Sequence, residues 1–367
     1  MKKTLAAVAV LGAFAGSALA ADVTLYGKID LGLQYTNVDN GSKTTENWGM
    51  ASGSNSSSRV GLKGSEQISE GLTVGFQYEK GIKADTGANG GSQAFDRESR
   101  LYVATDFGEL AMGRMGNLNS GNGTYGIMGK ASAFGTAWGD FVGGHNIAFG
   151  FAGTRYDNTV TYKSPAFAGT TVYAQYAMGD SDENTSKANR YAALGVTSDF
   201  GPLHAVLVVD QLNKKSYGFT ADEIKDGAKP VHDQYTVTGG MTYDFGVLTA
   251  GLTAQYFNHV SAIESKLVKD GDKAVKFKGD LKGYGVALSA SAPVAGGTLK
   301  ALVGYLDAED DLRDKDNDAQ RYNAGVTYEY PLSKRTSVYA GAGFVKEEAG
   351  KTEYKGTQVI SGLVHNF

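Results

Sequence analysis

The stretch "QYTVTGGMTYDFGVLTAGLTAQYF", Gln234–Phe257, decides how this sequence folds. Its first half sets Tyr235, Val237, Gly239, Met241, Tyr243 and Phe245 on one side of an extended chain. Thr236, Thr238, Gly240, Thr242 and Asp244 fall on the other. The second half repeats the pattern, with Leu248, Ala250, Leu252, Ala254 and Tyr256 opposing Thr249, Gly251, Thr253 and Gln255. A period of two belongs to β-strands with one apolar and one polar face, not to helices. Asp244–Val247, "DFGV", reads as the tight turn between them. The same alternation returns in "LTVGFQYEK" from Leu72 and in "VTLYGKIDLGLQYT" from Val23.

Alternation alone also fits a water-soluble β-sandwich. Two features argue against one. The runs last about 10 to 14 residues where ordinary strands average about five or six, and a tilted membrane-crossing strand needs roughly 9 to 11. The connections also alternate in length. Tight links follow Ile68 and fall at Asp106–Gly108, Ser164–Gly169, Asp199–Pro202, Asp244–Val247, Pro293–Gly297 and Pro331–Lys334. Long polar segments separate them: Asn37–Ser58, Lys83–Asp96, Asn117–Phe151, Gly179–Asn189, Asn213–His232, Asn258–Lys278, Asp307–Asp318 and Glu347–Lys355. Short turns at one end and long loops at the other organise an outer-membrane barrel. The runs between them predict an all-β fold, a transmembrane antiparallel β-barrel of about 16 strands, the even number that closure with both termini on one side requires.

Composition agrees. Residues 1–20, "MKKTLAAVAVLGAFAGSALA", place two lysines before an apolar run ending in Ala18-Leu19-Ala20, the pattern of a cleaved signal peptide, so the mature domain is expected over 21–367. Losing Lys2 and Lys3 leaves 33 basic and 39 acidic residues, a net charge of −6 with no basic block, which gives no support to nucleic-acid binding. The chain has no cysteine, so disulfides do not stabilise it. It carries 51 glycines, 21 tyrosines and five prolines, and no later stretch reaches the ~18 apolar residues of a membrane helix.

Four segments carry a resemblance to a known family. "SRVGLKGSEQISEGLTVGFQYE" (Ser58–Glu79) resembles the second and third strands of the general diffusion porins of Gram-negative outer membranes. "FGELAMGR" (Phe107–Arg114) resembles the strand that leads into their constriction loop. "RYDNTVTYKSPAFAG" (Arg155–Gly169) and the terminal "GLVHNF" are similar to segments of one branch of that family. They occur in the family order. The resemblance implies a passive channel for small hydrophilic solutes and ions, a homotrimer among outer-membrane lipid and lipopolysaccharide, and no enzyme activity or cofactor. It also implies that Phe367 completes the last strand and serves in the signal read by the barrel-insertion machinery. A substrate-specific channel is the alternative, and the lumenal tyrosines Tyr26, Tyr102 and Tyr173 are too sparse to decide. A barrel adhesin or enzyme is the more distant one.

In the family the third long loop folds into the pore as an eyelet; here that loop is expected at about 117–151. It is rich in glycine and has apolar anchors in Ile127, Phe134, Trp138 and Phe141, enough to pack against a wall. By motif position the resemblance places Arg59, Arg114 and Arg155 at the constriction. Parity independently puts Arg59 with Lys63, Arg155, Arg100 and Lys28 in the lumen. Arg114 shares parity with Leu110 and Met112, so a bulge or strand end is expected there, since arginine facing mid-bilayer lipid costs roughly 2 to 4 kcal/mol. Asp140 is the only acid between 117 and 151, accompanied by Lys130 and His145. A net positive, anion-favouring eyelet is therefore expected.

No catalytic signature such as G-x-S-x-G, a phosphate-binding loop or H-E-x-x-H is present. "DLRDKDND" (Asp311–Asp318) starts like a calcium loop but has Ala319 where glycine is required and no closing glutamate. The five histidines stand singly and read as rim or loop residues, so no metal site is expected.

Overall fold

A computed structural model describes residues 23–135, 138–139, 141–151, 153–179, 189–214, 232–270, 273–310, 318–350 and 352–367. Residues 1–20, the expected signal peptide, together with Asp140 and 311–317, lie outside them.

The alternating runs become a closed antiparallel wall of sixteen strands. β1 is Thr24–Asp39, and β2 comes in two pieces, Thr44–Ser52 and Arg59–Ser69, both paired to β1. β3 (Leu72–Lys83), β4 (Glu98–Thr105), β5 (Gly108–Gly116), β6 (Arg155–Lys163), β7 (Thr170–Ala177) and β8 (Tyr191–Phe200) follow. β9 (Leu203–Leu212), β10 (Gln234–Asp244), β11 (Thr249–Asp270) and β12 (Lys273–Val294) continue the wall. β13 (Gly297–Asp310), β14 (Ala319–Pro331), β15 (Thr336–Ala349) and β16 (Thr352–Asn366) complete it. Every strand pairs with its sequence neighbour, and β16 returns to β1, from Lys28 opposite Asn366 to Asp39 opposite Lys355. Closure leaves no sheet edge, the condition for burying strands in hydrocarbon, where no water can satisfy a free N–H or C=O.

The outer face is apolar. Leu194, Val237, Tyr256, Leu288, Val303 and Val359 are exposed, while their inward neighbours Thr236, Thr238, Gln255, Ser289 and Gln358 are buried. Aromatic rings gather at both ends of this band. Phe107, Phe167, Phe200 and Phe245 stand exposed at the tight turns, and Tyr284, Tyr305 and Tyr322 form a contiguous row nearer the long loops. Aromatics favour the two membrane interfaces, where a ring sits in the headgroup region. The last residue is integral to the wall: Phe367 N donates to Gly27 O at 3.1 Å and accepts in return through its own carbonyl at 3.0 Å.

Candidate functional site

The interior is not an open tube. The long segment after β5 turns into the ring and is fastened round it by wall side chains of inward parity. Leu118 N donates to Gln175 Oε1 of β7, and Asn119 Nδ2 to Thr236 Oγ1 of β10. Ala133 N donates to Ser289 Oγ of β12, Phe141 N to Gln358 Oε1 of β16, and Phe151 N to Gln255 Oε1 of β11. Arg321 of β14 donates to Ile147 O at 2.8 Å while its Nε holds Glu347 at 2.7 Å. Loop backbone groups buried away from water are thereby satisfied.

Between these ties the loop's apolar residues form its core. Leu118, Tyr125, Ile127 and Met128 pack with Ala193, Val206 and Val208 of the wall, and Phe134, Trp138 and Val142 pack with Tyr339 and Ile360. Trp138 stands edge-on to Tyr339, with centroids 5.7 Å apart. Glycines on the inner wall permit the close approach. A Cβ on Gly240 would lie 2.6 Å from Ala131 Cβ, and one on Gly285 or Gly325 would strike the carbonyl oxygens of Ala148 or Val142.

Among the described residues, a cavity of about 840 Å³ lies open between the loop and the wall of β2–β4. Arg59, Lys83 and Arg97 reach it from the wall side with Glu79, Asp85 and Glu98; Asn122, Thr124 and Trp138 face it from the loop. Residues 53–58, which interrupt β2, add Ser54, Ser56 and Ser57. Their backbone is held by Asp30, whose Oδ2 accepts from Asn55 N and Ser56 N, both at 2.7 Å.

By residue count the charges on this wall balance, but their exposure does not. Glu79 takes Arg97 Nε at 2.6 Å, Arg59 Nε at 3.5 Å and the Tyr26 hydroxyl at 3.0 Å, and is only 8% exposed against 15% and 23% for the two arginines. Glu98 lies deeper still, 1% exposed beside Arg100. Glu79 and Glu98 back the wall while the Arg59 and Arg97 guanidiniums are the more exposed partners; Lys83 and Asp85 are both exposed and offset each other. Acids so placed hold the Arg59 and Arg97 guanidiniums in position.

Of the residues read from sequence, Arg59 lines the cavity and Lys28 sits opposite it in the register, with Nζ 3.3 Å from Ser56 Oγ. Arg100 is buried behind the loop rather than on the slot. It donates to Gln77 Oε1, Thr124 Oγ1 and Tyr125 Oη, and its guanidinium stacks over Tyr102 and Tyr125. Arg155 opens β6 among Arg97, Glu98 and Glu79, and its Nε and Nη2 are buried without a hydrogen-bond partner among the described residues. Lys63 lies over the Tyr26 ring, and Lys130 is exposed on a short 3-10 turn of the loop, Ile127–Ala131. Asp140 is outside the described residues.

Arg114 does not reach the slot. A register shift between Gly113 and Met115 marks the irregularity that its parity required, but the side chain keeps the outward parity of exposed Leu110 and Met112. Its Nε donates to the Asp96 backbone carbonyl at 2.8 Å and its Nη1 to Asp157 Oδ1 at 2.7 Å, and the Asp157 carboxylate pairs its charge near the strand end. Arg97 was missed, because it precedes β4 and alternation says nothing about a residue outside a strand. The charge-dense run "DRESR", Asp96–Arg100, where a loop meets a strand, was the available signal.

Comparison with known proteins agrees with this architecture. A family model described as Gram-negative porin matches residues 6–350. An outer membrane porin protein of Delftia acidovorans (porin protein 32) is 31% identical over 360 residues, covering 96% of this chain and 92% of that one. An outer membrane porin protein of Bordetella pertussis is 29% identical over the full length of both. Among solved structures, an anion-selective porin from Comamonas acidovorans superposes with a TM-score of 0.71 at 26% identity, covering 95% of this chain and all of that one. OmpT of Vibrio cholerae, solved in a trimer form, shares the fold with a TM-score of 0.62 at 16% identity.

Proposed function

Because the chain belongs to the Gram-negative porin family, a water-filled channel of the outer membrane, we propose that its eyelet sorts small hydrophilic solutes by charge and prefers anions. The observation that carries the reading is the unequal exposure across the ion pairs. Arg59 and Arg97 present their charge to the cavity, while Glu79 and Glu98 lie behind them. In a narrow aqueous slot walled by low-dielectric protein such a field is focused rather than screened. Arginine keeps its charge under all working conditions, so the preference persists across physiological pH.

In this reading Arg59, Arg97 and Lys83 steer the solute. Arg100 and Arg155 position the wall and the loop, with Lys28, Lys63 and Lys130 adding positive potential along the path. Arg114 is left to the outer rim. The Comamonas structure, anion-selective by name, supports the assignment. Three copies assemble in the membrane, as the trimeric OmpT relative supports, and Phe367 is read during insertion.

The test is a zero-current potential across a planar bilayer separating two KCl concentrations. A potential of the sign set by chloride supports the proposal. Clear cation preference overturns it.

A further inference from the structure

The fold brings together two of the five histidines that stand apart in the sequence. His232 lies two residues ahead of β10, His259 lies within β11, and Asp280 lies within β12. These are three consecutive wall strands, and all three residues sit toward their long-loop ends. His232 Nδ1 is 3.0 Å from Asp280 Oδ2, and His259 Nδ1 is 2.9 Å from Asp280 Oδ1. The two imidazole rings lie 4.5 Å apart, and one ligand atom from each of the three residues falls within 4.8 Å of the others.

The backbone is shaped to make this meeting. The β11–β12 register shifts between Phe257 and Val260, and His259 adopts a left-handed φ of 56° at that irregularity. Bulges re-aim side chains in this way, and without one His259 would simply continue the wall's alternation. Asp280 is 2% exposed, and its backbone N–H donates to Asp310 Oδ1 at 3.0 Å, which fixes the strand beneath the carboxylate. The His232 side chain is 49% exposed, so water reaches the cluster from one side.

The geometry points to a site for a divalent transition ion of the Zn²⁺ type, held by His232, His259 and Asp280. Two imidazoles and one carboxylate form a donor set that suits zinc, copper or nickel, whereas calcium and magnesium want oxygen alone. Three protein ligands leave a coordination position for water, and the exposed side of His232 supplies it. At zinc–ligand distances of about 2.0–2.2 Å, tetrahedral donors stand ~3.3–3.5 Å apart; the two imidazoles contact opposite oxygens of Asp280 at 3.0 and 2.9 Å, and with the three ligand atoms within 4.8 Å of one another, side-chain rotation alone brings them round one ion. Binding displaces protons from the imidazoles and replaces two hydrogen bonds with three metal bonds, tying together the upper ends of β10, β11 and β12. Lys214 is the opposing charge. Its ammonium donates to Ser261 Oγ at 2.7 Å and lies near Asp280. The chain has no cysteine to compete for zinc, and the remaining histidines are His145, His204 and His365.

The test titrates Zn²⁺ into the tag-free mature porin in detergent by calorimetry, with Mg²⁺ as the hard-ion control. One Zn²⁺ per chain is expected, with affinity lowered at least tenfold in His259→Ala and in Asp280→Asn, raised in Lys214→Met, and Mg²⁺ failing to compete. Unchanged Zn²⁺ stoichiometry and affinity in the His232→Ala, His259→Ala double variant overturns the site, as does absence of binding to the parent chain. Should those variants fail to fold, anomalous diffraction from parent crystals soaked in Zn²⁺ decides. A peak among the three side chains supports the site, and its absence there overturns it. Channel conductance and ion preference are read separately, so this site and the eyelet proposal fail independently.

Discussion

Two adjacent glycines on β10 make a controlled experiment on how the eyelet loop is held. Gly240 points inward, and a methyl built on it lies 2.6 Å from Ala131 Cβ of the loop and 2.8 Å from Thr253 Cγ2. Carbon atoms rest at about 3.5–4.0 Å, so Gly240→Ala requires the loop or the wall to yield by roughly 1 Å. Gly239 points outward, and its first neighbours would stand at 3.6 Å, an ordinary contact. Overpacking of this kind costs about 1–3 kcal/mol, which multiplies the undocked population of the loop by about 5 to 150. Amide exchange read by mass spectrometry reports it directly, because Ile127 N and Met128 N are held by Leu118 O and Ser120 O within the docked loop. Gly240→Ala should raise deuterium uptake across 118–131 and add current noise to single open channels, while Gly239→Ala leaves both as in the parent. Equal behaviour of the two variants would refute the idea that close wall contact keeps the loop in place.

Other perturbations have defined outcomes. Arg97→Ser and Arg59→Ser should each shift the zero-current potential toward cation preference, and together more than either alone, because both guanidiniums face the cavity from Glu79. Beyond the end of β9, burial pushes the Lys214 ammonium down from 10.5 to about 8. The unfolded chain therefore holds that proton to higher pH than the folded one, and the Lys214 penalty, on the order of 3 kcal/mol, is full below pH 8 and fades as pH rises toward 10.5. Lys214→Met should accordingly raise the unfolding midpoint at pH 7 and lose that advantage near pH 10.5, as thermal scans in detergent would measure. Deleting Phe367 removes both backbone bonds to Gly27 that seal β16 to β1, so the yield of heat-modifiable barrel on refolding should fall. A full yield would show that closure does not depend on the last residue.

The sequence determined the wall. Alternation is local: once Tyr235 faces out, Thr236 must face in, and no distant residue is needed to say so. Turn and loop lengths are equally local, which is why strand number and closure were legible in the sequence, whereas the place of Phe367 in the last strand came with the resemblance. Even Arg114 followed its parity, against the placement the resemblance implied. The loop's apolar anchors also announced that it would pack, because exposed Phe134, Trp138 and Phe141 would be costly in water.

Only the tertiary structure decided which charges meet. Arg97 reaches Glu79 across 18 positions from a segment outside any strand, and His232 meets Asp280 across 48, because register and closure set those distances rather than spacing along the chain. A bulge at His259 turns one imidazole toward the cluster, and its cause lies in pairing with a neighbouring strand. Faces follow from adjacent residues, but sites follow from how far one strand slides past the next. That slide is fixed by the whole ring at once.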